Sequence, residues 1–294
     1  MRKIIIMMVA VIIVSGCTSL PSQNGDNTGT KESAGELEVL QSSFTEQQIY
    51  ENSETSFILR VSNSNTVPLK DFEAWLSNTG PRNSVSARVI GEGACSDRCA
   101  CEYSLIEPRD VSPVKLCQWD ISVGDLPSGV SQTSYPVTVN MEYMTNLTTR
   151  DPIKVVGREE VAPKSELVKT YSFTNGIMDV SLSLPEGVRA DSEKRTITAD
   201  ITISNVGPGS IKKENGMKSV DLFYSGSFTD IFEPVNCREV EFFESEKTTH
   251  ITCRFEEKDS SSIQEATSYS LDMNVQYSYS RLSDTGLSVV SDTE

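Results

Sequence analysis

The chain opens on an unbroken apolar run, Ile4 to Val14, and then changes character, with apolar and polar residues alternating in one short segment after another. Ser56 to Ser62, Phe72 to Ser77, Ser84 to Ile90, Leu116 to Val123 and Pro136 to Met144 keep a period of two and are bounded by Gly, Pro, Asn or Ser. Successive side chains of a strand point to opposite faces, so this period marks half-buried β-strands. A helical period is nowhere sustained for long enough to define a helix. Short strands set apart by turns predict an antiparallel β-sandwich.

The strands come in two copies. Cys101 to Asp120 lies over Cys237 to Glu256 without a gap, each segment opening on Cys and repeating it at the same spacing. Tyr135 to Gly157 lies over Tyr269 to Ser291, matching Asn140 with Asn274 and Tyr143 with Tyr277. Upstream, Phe57 to Asn63 corresponds to Thr198 to Asn205, each an alternating segment ending in Ser-Asn. The blocks keep the same order in both halves. The expected fold is therefore all-β, with two tandem immunoglobulin-like antiparallel β-sandwiches at 36–160 and 165–294 and a boundary near Gly157 to Lys164. Leu167 to Phe173 is expected to open the second copy as Leu37 to Leu40 opens the first. Cys117 and Trp119, two residues apart, share a strand face, and Cys253 and Phe255 repeat the arrangement. An inward cystine beside an aromatic ring is a feature of immunoglobulin-like cores.

The stretch Ile201-Thr202-Ile203-Ser204-Asn205-Val206-Gly207-Pro208-Gly209, a strand ending in Ser-Asn and a Gly/Pro turn, resembles CARDB-type and related immunoglobulin-like modules of prokaryotic surface proteins. The resemblance implies an extracytoplasmic adhesion, spacer or assembly module without catalytic chemistry. The cysteines are not part of that family pattern.

The N-terminal run changes the picture of where such a module would sit. Arg2 and Lys3 precede Ile4 to Val14, a run of signal-peptide size and too short for a membrane span, which needs about 20 apolar residues. Val14-Ser15-Gly16-Cys17 resembles the lipobox of bacterial and archaeal lipoproteins. That resemblance implies a signal peptide at 1–16, cleavage before Cys17 and a lipid on its sulfur. Residues 17–35, rich in Ser, Gly, Asn and Thr, cannot bury enough surface to offset ordering entropy and read as a flexible stalk.

The formal charge of −16 becomes about −18 once Arg2 and Lys3 leave. Such an acidic chain argues against nucleic acid and against direct docking on anionic lipid. The membrane is then reached through the Cys17 lipid, and the expected partner is a protein or a surface polymer. With Cys17 assigned to the lipid, six of the seven cysteines remain, an even number that reads as disulfides in an exported protein. The repeat favours Cys101–Cys117 and Cys237–Cys253, leaving Cys95 with Cys99. The rival is Cys95–Cys117, with Cys99 and Cys101 in a tight ring.

Other chemistry is thinly signalled. Four thiolates at Cys95, Cys99, Cys101 and Cys117 could hold zinc, but Cys-x-x-Cys knuckles are absent. His250, the single histidine, sits in an alternating segment on the face opposite Cys253, and no Gly-x-Ser-x-Gly elbow accompanies it. Glu159-Glu160 and Glu256-Glu257 read as solvated carboxylates in linkers and turns. Asn146-Leu147-Thr148 is a glycosylation sequon, expected in the turn between strands around Tyr143 and Ile153. No phosphate loop, dinucleotide fingerprint or EF-hand string occurs, so neither a cofactor nor a metal is expected. These readings converge on a lipid-anchored, extracytoplasmic, non-enzymatic binding, adhesion or assembly protein. The alternatives are a carboxylate-based hydrolase and a metal-binding surface protein.

Overall fold

The structure, a computed structural model, describes residues 37–80, 84–87, 99–111, 114–156, 170–184, 188–189, 196–214, 217–242, 246–258 and 267–292. The first copy runs through β1 (Leu37–Phe44), β2 (Gln48–Tyr50), β3 (Glu54–Asn63), β4 (Leu69–Ser77), β5 (Ser84–Ala87), β6 (Cys101–Ile106), β7 (Lys115–Ser122) and β8 (Gln132–Val156). The second runs through β9 (Thr170–Thr174), β10 (Met178–Ser183), β11 (Val188–Arg189), β12 (Thr196–Asn205), β13 (Ser210–Ile211), β14 (Lys213–Glu214) and β15 (Met217–Ser225). A single helical turn, α1 (Phe228–Ile231), precedes β16 (Phe232–Pro234), β17 (Glu239–Phe242), β18 (Thr248–Glu257) and β19 (Thr267–Val290). The fold is all-β, as the alternating pattern predicts.

Three sheets carry it. One has the order β1-β3-β7-β5, a second β16-β18-β12-β10-β9, and a ten-stranded sheet is built on the path β14-β15-β19-β8-β4-β6. The chain positions of β1, β3, β7 and β5 are those of the A-B-E-D sheet of an immunoglobulin sandwich, with β4 and β8 at C and F. In the second copy β10, β12, β18 and β16 take A-B-E-D, and β15 and β19 take C and F. The opening strand of the second copy is thus Met178–Ser183. Thr170–Thr174, within the segment expected in that role, is an extra edge strand with no counterpart in the first copy.

The position after F is where the structure departs from expectation. An F strand ordinarily turns back into a G hairpin partner, and the sequon at Asn146 was expected to make that turn. Instead β8 continues straight through it. All 24 residues of β19 pair with β8 in one unbroken antiparallel register, from Thr267 opposite Val155 to Val290 opposite Gln132. Each copy therefore supplies the other's G strand: the C-terminal half of β19 lies beside β8 in the first sandwich, and that of β8 beside β19 in the second. At about 3.3 Å per residue these strands run roughly 80 Å. Met144 and Ser278, which the repeat matches to each other, are also paired directly across the sheet, so a local two-fold axis passes between them. The exchange is reciprocal in its edges as well, since β2 of the first copy pairs in parallel with Ser288 to Val290, and β11 of the second with Val155 and Val156.

Parity explains why β8 can run straight. Val137, Val139, Met141, Tyr143, Thr145, Leu147, Thr149 and Ile153 are all buried, so the inward face never changes sides along the strand. The two prolines of β8, Pro136 and Pro152, lie outside the stretch from Thr138 to Met144 that β4 pairs. There the strand has β19 on one side and a missing N–H costs no ladder bond.

Candidate functional site

Among the described residues each sandwich is stapled once. Cys101 of β6 bonds to Cys117 of β7, and Cys237, just before β17, bonds to Cys253 of β18, so each cystine joins the shared sheet to the sheet facing it. These are the two pairs that the repeat favours. They differ from the cystine of antibody domains, which joins strands B and F, because here one sulfur belongs to E and the other lies in or just before the strand beside C. Cys117, Trp119, Cys253 and Phe255 are fully buried, as the two-residue spacing requires. The Trp119 indole N–H donates to the Cys99 carbonyl at 2.8 Å.

The Cys101–Cys117 bond excludes the rival Cys95–Cys117 pairing and removes two of the four thiolates that a zinc site would use. Among the described residues no group of three or more His, Cys, Asp or Glu could hold a metal ion. Cys17, Cys95, Glu159 and Glu160 lie outside the described residues, and with them the lipid site, the signal peptide, the stalk, the boundary at 157–164 and the Cys95–Cys99 bridge. Asn146 sits in the middle of β8 rather than in a turn, with its amide Nδ2 at 3.2 Å from Thr148 Oγ1 and 3.4 Å from Asn274 Oδ1. His250 is exposed on β18, its Nδ1 2.9 Å from Thr202 Oγ1. Glu256 and Glu257 end β18 rather than occupy a turn, and Glu256 meets Arg254 at 3.3 Å.

The Ser-Asn ends of the repeated strands turn out to be structural devices. Asn63 Nδ2 donates to the Val67 carbonyl at 2.8 Å, and its Oδ1 accepts the N–H of Asn65 at 2.9 Å. Asn205 does the same four and two residues on, donating to Gly209 O at 2.9 Å and accepting from Gly207 N–H at 3.2 Å. Both asparagines are buried. Asn63→Ala takes the side-chain partner from the buried Asn65 N–H and from the Val67 carbonyl. Asn205→Ala takes it from the Gly209 carbonyl, while the Gly207 N–H keeps the Ile177 carbonyl at 3.1 Å. Each substitution should cost about 1–3 kcal/mol in urea denaturation.

The turn after Asn205 closes on the middle of the shared sheet. Tyr279 is fully buried, its ring centroid 5.7 Å from that of Tyr143 across the β8–β19 pair. Its hydroxyl accepts the Gly209 N–H at 2.7 Å and donates to Asn205 Oδ1 at 3.3 Å. A Cβ on Gly209 would collide with the Ser280 carbonyl, so only glycine lets the turn approach this closely. Tyr277, one inward position away, receives a hydrogen bond from Asn175 Nδ2 at 2.8 Å, and burial raises its phenol pKa well above the ordinary value. Neither Tyr279 nor Asn175 is singled out by the sequence, whereas Asn205 and Gly209 lie in the turn motif and Tyr143 and Tyr277 in the repeat match.

A second clamp ties the C-terminal end of β19 to the first copy. The Glu51 carboxylate accepts the Leu126 N–H at 2.9 Å, the Ser291 hydroxyl at 2.8 Å and the Asp292 N–H at 3.2 Å. These donors, the Leu126 amide first, hold its pKa below the usual carboxylate value. A lowered carboxylate pKa contributes stability above the unfolded value of about 4.3, and that contribution fades as pH falls through the folded value. The melting temperature of Glu51→Gln should accordingly lie below that of the wild type at neutral pH and converge with it in acid.

The outer face of the shared sheet carries the remaining candidate surface. Pairing places Trp75 of β4 beside Asn140 of β8, and Asn140 beside Leu282 of β19. Near the other end, Phe223 of β15 lies beside Asn274 of β19, and Asn274 beside Thr148 of β8. The repeat matches Asn140 with Asn274, so this is one arrangement present twice about the local axis.

The fold and these staples define a disulfide-stapled, strand-exchanged pair of β-sandwiches. No protein-family model and no curated protein matches the chain. Among solved structures, the secreted serine protease VesC from Vibrio cholerae is similar at 6% identity and a TM-score of 0.23, over 86% of this chain and 51% of that one. The chain thus spans about half the length of that protease, and a likeness this slight says nothing about chemistry. Among the described residues no helix is long and apolar enough to cross a membrane.

Proposed function

We propose that this is an extracytoplasmic protein, anchored to the cell membrane through a lipid on Cys17, with a non-catalytic binding, adhesion or assembly role. The observation that carries the reading is the pair of inter-sheet cystines. Structural disulfides persist in oxidising compartments, which is where a lipobox at Val14 to Cys17 would send the chain. The exchanged strands support a display role, because two sandwiches sharing one continuous sheet present their loops and outer face as a rigid unit. Fractionation with intact-mass analysis tests the anchor. The wild type should be found in membranes with a lipid on an N-terminal Cys17, and Cys17→Ser should lack the lipid and leave the membrane fraction. An unmodified Cys17, or membrane retention of Cys17→Ser, would refute the anchored reading.

A further inference from the structure

The outer face of the shared sheet has a composition that the rest of the chain does not predict. The protein carries 42 acidic and 26 basic residues. Yet on the central strands, between the row of Asn140 and Leu282 and the row of Thr148 and Asn274, every outward side chain but one is uncharged. That one, Glu142, is ion-paired with Lys212. What remains is amide, hydroxyl and thioether: Asn140, Asn146, Asn274, Gln276, the serines at 278 and 280, and Met144 at the local axis. At each end of this neutral strip an apolar side chain stands out beside an amide. Leu282 is 61% exposed next to Asn140 and Trp75, and Phe223 is 54% exposed next to Asn274. Eight residues of β8 separate the two rows, roughly 26 Å at 3.3 Å per residue.

A ligand that uses both ends has to be extended, and it has to bring apolar patches and many hydroxyls without net charge. Protein partners bury a contiguous apolar centre, and two apolar points so far apart do not make one. Anionic polymers and nucleic acid are opposed by the charge of the whole chain. A neutral sugar chain meets the description, since its C–H faces lie on aromatic or aliphatic side chains while its hydroxyls exchange hydrogen bonds with amides. We propose that the outer face of the ten-stranded sheet binds a neutral, extended glycan laid along β8 and β19, with Trp75–Asn140–Leu282 and Phe223–Asn274 as its two end subsites. This rests on the surface-binding role proposed above and supplies its ligand class.

Native-gel affinity electrophoresis of the full chain tests it, with laminarin, glucomannan and hydroxyethylcellulose as neutral probes and polygalacturonate as an anionic one. Retardation by at least one neutral probe is expected, unchanged by added salt. It should weaken in Phe223→Ala and in Leu282→Ala and be lost in the double variant, because two linked subsites reinforce one another. Both positions are more than half exposed, so the variants should keep the wild-type melting temperature. No retardation by any neutral probe, retardation by polygalacturonate alone, or full retardation of the double variant would overturn the proposal. Capture of a surface protein that survives periodate treatment and is lost in the double variant would overturn it in favour of a protein ligand. The anchor assay on Cys17 is independent of these results, so a failed glycan site leaves the surface-anchored reading standing.

Discussion

Replacing Tyr279 by alanine is expected to lower the unfolding free energy by about 3–5 kcal/mol, the range for deleting a large buried ring. The ring fills the space beside Tyr143 at the middle of the β8–β19 pair, and its hydroxyl is the acceptor for Gly209. Tyr279→Phe separates these contributions. The ring stays, the Gly209 N–H loses its acceptor, and the cost should fall to about 1–3 kcal/mol. Urea denaturation followed by fluorescence and by far-ultraviolet circular dichroism measures both. Hydrogen exchange reads the location, because amides of β8 from Met141 to Leu147 should lose protection although the substitution lies in β19. Unchanged protection in β8 would mean that the two long strands do not form one cooperative unit.

Removing either cystine is the second large effect. Cys101→Ala/Cys117→Ala and Cys237→Ala/Cys253→Ala each open a loop of sequence separation 16. Loop-entropy arithmetic assigns about 3 kcal/mol to a loop of this size, which should lower the melting temperature by roughly 6–12 °C in a chain this long. The two pairs sit in different sandwiches, so combining them should give nearly the sum. A reductant added to the wild type should reproduce the fourfold alanine variant in thermal unfolding. A wild type indifferent to reductant would show that the cystines do not hold the sheets together.

Much of this was legible without coordinates. Alternation along Ser56 to Ser62 and Leu116 to Val123 located strands because a two-residue period is a local property of an extended chain. The gapless match of Cys101 and Cys117 with Cys237 and Cys253 indicated both cystines, since a repeated spacing implies a repeated geometry. The segment from Cys101 to Ile106 carries no strand signal, because its buried residues do not keep a strict period of two. The candidate surface was less visible still. Trp75, Phe223 and Leu282 are scattered in sequence, and only the pairing of β4, β15 and β19 sets them beside matched asparagines.

By itself, then, the sequence determined the all-β class, the two copies, the inward faces and the cystine pairs, all of which follow from local periodicity or internal repetition. Tertiary structure decided whether Asn146 to Thr148 would turn or continue. The polar residues there suit a hairpin, while Thr145, Leu147 and Thr149 keep the strand's inward face intact, so local preference permits either course. The choice falls to the partner strand. A hairpin would pair each strand with itself over a short length, whereas the straight course pairs β8 with β19 along all 24 residues and buries Tyr143 against Tyr279. That contact joins residues more than a hundred positions apart in the chain, beyond the reach of any local pattern.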